Sequence, residues 1–142
     1  MSKSDVFEND LLRLIFNSIP ISGIADNPGS PLTHLWVSLH TADVGEGGNQ
    51  LTSEATYTGY GRVPVVRTSA GWTVSGNSVS PVSNLEFGEC TNTPGNPITH
   101  AAVGTSQTGT GKVLYKGTLL PSIPIQIGSV PRIKTTSTIT ED

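Results

Sequence analysis

Beyond residue 31 the apolar residues of this chain recur at every second position, and only in short runs. Leu35, Val37 and Leu39 alternate with His34, Trp36, Ser38 and His40, the period of a strand with one buried face. Tyr60 to Arg67 reads as a second strand, and Pro64 inside it points to a sheet edge or a bulge. Trp72–Ser75 and Ser78–Ser80 flank Gly76-Asn77, a pair suited to a tight type I′ or II′ turn. Leu85-Glu86-Phe87 is a short strand. Ile98–Gly104 and Lys112–Leu119 form a hairpin with a long polar tip, Thr105–Gly111. Ile123, Ile125 and Ile127 alternate again, and Thr135–Thr140 could supply a last strand. Seven or eight short strands spaced by turn residues predict a mainly β fold, a β-sandwich or jelly-roll-like domain. Composition agrees. With 13% charged residues the chain lacks the Glu, Lys and Arg that coat a helical bundle. Its 35% hydrophobic content and net charge of -3 separate it from disordered chains. The same charge balance lacks the basic stripe of a nucleic-acid binder.

The first 19 residues follow a different period. Phe7, Leu11, Leu14, Ile15 and Ser18 fall at helical spacing, with Val6 and Ile19 beside that stripe. Asp5 and Glu8 resemble a capping box and complement the helix dipole. Pro20 stops the run, so an amphipathic helix is expected over about residues 5–18. Its apolar face must bury against the β-domain of its own chain or against a neighbouring subunit. The expected organisation is a helix for attachment or oligomerisation at 1–20, a Gly/Pro linker at 21–31 and the β-domain at 32–142. The N-terminus lacks the form of a cleaved signal peptide, and no stretch reaches the length of a membrane span. The expectation is a soluble protein made in the cytoplasm. One cysteine, Cys90, allows no internal disulfide.

Several stretches approach motifs of known chemistry without completing them. Gly104–Lys112 is glycine-rich, but counting from Gly104 puts Thr110 where a phosphate-binding loop needs lysine. Asp43–Glu54 has the length of a calcium loop, with Gly48 and Glu54 in place. Its third and fifth positions, Gly45 and Gly47, offer no ligand. His34 and His40 are six residues apart on one strand, roughly 20 Å at ordinary rise, too far to share a metal. Glu86 and Glu89 form no glycosidase pair, and no Gly-x-Ser-x-Gly elbow is present. A structural cysteine and surface or loop histidines are the reading that remains. No catalytic, cofactor or metal site is expected. Trp36, Tyr60 and Trp72 stand as candidates for interface or glycan contact, or as core.

The block Leu35–Asp43, continued by Gly45–Val63, resembles a family of small tailed-phage virion proteins labelled phage tail fibre proteins. The similarity continues through Gly71–Asn77, Thr99–Thr105 and Gly109–Leu119, and becomes loose from Ile123 onward, where Pro124 and Pro131 stand. It implies a structural virion protein rather than an enzyme: a short tail or neck fibre or appendage anchored by the N-terminal helix. A capsid decoration (cement) protein and a glycan-binding module for host recognition are the alternatives. Val6, Phe7, Leu11, Leu14 and Ile15 would carry assembly. The implied partners are copies of the chain, with a trimer by family analogy, and a tail adaptor, the portal region or the capsid. The last strand would pair within the subunit or between subunits.

Overall fold

The computed structural model describes residues 3–21, 25, 29 and 31–141. The fold is mainly β, with several antiparallel sheets of a β-sandwich-like kind and one short N-terminal helix. The chain forms two compact units, Met1–His34 with Val65–Asn84 and Lys134–Asp142, and Leu35–Pro64 with Leu85–Ile133. The helix thus groups with a hairpin and the C-terminus, whereas the sequence reading set residues 1–20 apart from 32–142. Most of the expected linker, at positions 22–24, 26–28 and 30, lies outside the described residues.

In the first unit, α1 spans Asp5–Asn17. Its N-cap is Ser4, one residue earlier than the expected Asp5. The Ser4 hydroxyl accepts from the Phe7 N–H at 3.4 Å, satisfying one orphan donor of the first turn. Ser18 ends the helix in the left-handed region at φ 56°, and the Ile19 N–H returns to the Arg13 carbonyl. Leu12 and Phe16 are fully buried, because the helix packs on β3 (Trp72–Ser75) and β4 (Ser78–Pro81). The Phe16 ring meets Trp72 edge-on at 4.7 Å, a favoured aromatic geometry. Two residues join β3 to β4, and only Gly76 of the pair has positive φ. That is the pattern of a type II′ turn, which glycine adopts without steric cost. β9 (Ile139–Thr140) pairs with β4 through Ser78↔Thr140 and Val79↔Ile139, so the last strand closes within its own chain.

No basic residue lies in the last turn of α1, yet its carbonyls are not left bare. Arg67 donates to the Ile15 carbonyl at 2.6 Å and the Leu14 carbonyl at 2.8 Å. It also reaches the Leu32 carbonyl. A guanidinium from a distant part of the sequence therefore does what a basic last turn does elsewhere, meeting the negative end of the helix dipole.

The larger sheet has strand order β2-β1-β6-β7, with β1 at His34–His40, β2 at Val63–Val66, β6 at Ile98–Gly104 and β7 at Val113–Ile123. Pro64 sits on the edge strand β2, as its missing N–H requires. β1 and β6 run antiparallel, with Trp36↔Gly104 and His40↔His100 in register. Two short strands, β5 (Leu85–Glu86) and β8 (Arg132–Ile133), pair in the same unit. An ion pair joins Arg132 to Glu86 across them. Leu35, Val37, Leu39, Phe87, Cys90, Ile98 and Ile125 make the core. Two strand expectations need correction. The Ile123–Ile127 alternation is no strand: β7 ends at Ile123, and Ile127 is 65% exposed in a turn. β8 was not anticipated, because two residues carry no periodicity.

Candidate functional site

The structure divides the helix stripe between two faces. At about 100° per residue, the buried Glu8, Leu12 and Phe16 centre roughly 120° away from the predicted Phe7, Leu11, Leu14 and Ile15. The face that meets the β3–β4 hairpin is therefore not the predicted stripe. Val6 is 73% exposed and Phe7 38% exposed, while Leu11, Leu14 and Ile15 are half-buried. α1 buries Leu12 and Phe16, together with Glu8, on its docked side and carries a second, apolar flank that the first unit leaves partly open.

The three candidate aromatic residues do not form one surface. Trp72 is 2% exposed and packed on Phe16, the core alternative among its readings. Tyr60 is engaged through its hydroxyl, which donates to Glu54 Oε1 at 2.8 Å and accepts from the Leu39 N–H at 3.1 Å. Its ring stacks on Phe87 and meets Tyr57 edge-on. Burial pushes the Tyr60 hydroxyl far above the ordinary phenol range. Burial likewise pushes Tyr57 up to about 12. Trp36, like Tyr60, keeps a half-buried side chain. The histidine reading also changes. His34 is exposed, but His40 is fully buried. The acids that end the calcium-like frame each hold a cation instead: Lys116 Nζ lies 2.9 Å from Asp43 Oδ1, and Glu54 binds Arg62.

Glu54 and Arg62 centre a polar clamp that sequence reading missed. Arg62 Nε donates to Glu54 Oε1 at 2.7 Å, and Nη2 to Oε2 at 2.8 Å, a bidentate fork. The same guanidinium holds the Ser106 carbonyl at 2.9 Å and the Gly109 carbonyl at 2.8 Å. Its side chain is 3% exposed. The hydrogen bonds to Glu54 hold the Arg62 proton more tightly than usual. Gln50 completes the clamp. Its Nε2 donates to the Trp36 carbonyl and its Oε1 accepts from the Ser106 N–H at 3.0 Å, while the Gln50 N–H reaches the Gly111 carbonyl. The Thr105–Lys112 tip of the β6–β7 hairpin is thus fixed by its backbone, and Gln107–Thr110 face solvent.

Two glycines make room for the Gln50 amide. A methyl group on Gly104 or on Gly111 would overlap it. Gly104→Ala is accordingly expected to cost about 1–3 kcal/mol, because moving the amide leaves buried backbone groups unpaired. The shift in urea midpoint checks this, with Gly117→Ala, where the added methyl meets open space, as the reference.

Gln50, Glu54, Tyr60 and Arg62 all lie in the Gly45–Val63 block that carried the family resemblance. They share no period and no chemical motif, so only their position in that block marked them. Among the described residues, no group of three or more His, Cys, Asp or Glu side chains is placed to hold a metal ion. No curated protein matches the chain. The family model Gp80, described as podophage GP4 fiber I protein gp80, matches residues 2–141.

Proposed function

The chain belongs to this podophage fiber I protein family, a family of structural phage fibre proteins, and from that premise we propose a short fibre or appendage at the tail or neck, anchored through α1. The observation that carries this reading is the second apolar flank of the helix. Phe7, Leu11 and Leu14 stay partly open although Leu12 and Phe16 already fasten the helix to its own hairpin. A helix needs one apolar face to dock; a second one suits a neighbour. That neighbour is a sister subunit in a trimer, a tail adaptor or the portal region, and repeated weak contacts in a symmetric particle add up.

The protein acts by assembly rather than catalysis in this reading. Ser38 and His40, with hydroxyl and imidazole 2.9 Å apart, are both sealed from solvent, where no substrate reaches them. Among the described residues no helix is long and apolar enough to cross a membrane, and the virion is the expected location. A fibre and a capsid decoration protein differ in site and copy number. Electron microscopy of particles carrying a tagged copy is expected to place the tag at the tail or neck, at a small number of positions. Labelling over the whole shell would favour decoration instead. The mass of the purified protein in solution is expected at three times 14.8 kDa; a monomer would remove the trimer.

A further inference from the structure

His40 is buried at the end of β1 with both ring nitrogens engaged. Nδ1 lies 2.8 Å from the Thr52 carbonyl. A carbonyl oxygen can only accept, so Nδ1 carries the proton. Nε2 lies 2.9 Å from Ser38 Oγ and, in the neutral ring, accepts from that hydroxyl. A second proton on the ring would turn Nε2 into a donor. Ser38 would then have to reverse, with the Ala102 carbonyl, at 3.5 Å, the acceptor that the described residues offer for its hydrogen.

The charges around the ring do not welcome a cation. Arg62 and, across from β6, His100 oppose it. Glu54 favours it, but its two oxygens already take Arg62 Nε, Arg62 Nη2 and the Tyr60 hydroxyl. Desolvation by burial is the largest influence and lowers the His40 pKa below the ordinary 6.5. The folded protein therefore binds this proton less readily than the unfolded chain. Stability is full above about 6.5 and falls as pH drops through the folded value.

The position of His40 gives that loss a specific route. The segment from Asn49 to Glu54 rests on β1 around this residue: Thr52 through the ring, Ser53 through the Thr41 N–H, and the Ala55 N–H on the Leu39 carbonyl. The same segment carries Gln50 and Glu54, which hold the hairpin tip. We propose that His40 is an acid-sensitive latch: protonation of its ring loosens the Asn49–Glu54 segment and frees the Thr105–Lys112 tip while the sheet stays folded.

Amide hydrogen exchange of the full chain tests this at about pH 7.5 and about pH 5, on either side of the ordinary histidine value. Rates are corrected for the intrinsic pH effect. Protection of the Ser106 and Gln50 amides is expected to fall about tenfold at the lower pH, while amides of the β3–β4 hairpin keep theirs. In His40→Asn, which retains a donor toward Thr52 but gains no charge, the pH response is expected to vanish; in His100→Gln it is expected to persist. Equal protection at both pH values in the wild type overturns the proposal, as does a parallel fall in the hairpin amides or an unchanged response in His40→Asn. If His40→Asn does not fold, nitrogen NMR of the wild-type ring decides. Tip loosening must then set in below about pH 6.5 and level off once the folded ring is protonated; loosening that begins well above 6.5, or that continues after the ring has titrated, overturns the latch.

Discussion

Arg62→Ala is expected to lower stability by about 3–5 kcal/mol, the range found when one partner of a buried ion pair is removed. The loss has three parts. Glu54 keeps a charge with the Tyr60 hydroxyl as its only remaining side-chain donor in the clamp. The Ser106 and Gly109 carbonyls lose their shared donor. The aliphatic stem of the arginine leaves a void. Urea denaturation followed through the tyrosines and tryptophans should show the shift as a lower midpoint. The paired replacement Glu54→Leu with Arg62→Met separates charge from packing. It removes both ions at once, so it is expected to cost less than Arg62→Ala alone. A cost below about 1 kcal/mol for Arg62→Ala would match an exposed pair and contradict the buried clamp.

The strands with a full alternating pattern were legible in sequence. Leu35, Val37 and Leu39 face the core as their spacing requires, and Gly76-Asn77 turns where it should. Pro64 marked an edge because its missing N–H is a property of the residue itself. What failed was information that no single segment holds. Ser38 and His40 alternate with apolar residues and so read as the solvent face of β1. They are buried because Thr52 and the Asn49–Glu54 segment cover that end of the strand. The clamp joins residues 50, 54 and 62 to a loop more than 40 positions away, and an ion pair at that separation leaves no periodicity. Arg67 was unreadable for the same reason: its partners are carbonyls of a helix some 50 residues earlier. The helix shows a subtler failure. Its apolar residues outnumber what one docked face needs, and spacing alone selected the stripe with more members. Packing instead buried Leu12 and Phe16, the latter edge-on against Trp72.

That division gives two sets of substitutions on one helix with opposite expected consequences. Phe16→Ala removes a fully buried ring from its edge-on contact with Trp72. It is expected to cost about 3–5 kcal/mol, the range for truncating a core aromatic residue to alanine. Thermal or urea unfolding measures it directly. Val6→Ser with Phe7→Ser alters the open flank, where Val6 is 73% and Phe7 38% exposed, and is expected to change monomer stability by about 1 kcal/mol or less. If that flank binds a neighbour, the second variant loses oligomerisation or incorporation into particles while it unfolds like the wild type. Deleting residues 1–20 cannot make this distinction. It strips Phe16 from Trp72 and removes the buried Leu12, and a failure to assemble would then reflect a damaged first unit. Normal incorporation of the Val6→Ser, Phe7→Ser variant would leave α1 with the docking role on its own hairpin and move the search for the attachment surface to the second unit. Lost incorporation with unchanged unfolding would assign the two faces of α1 to two tasks, one holding the subunit together and the other holding it to its neighbours.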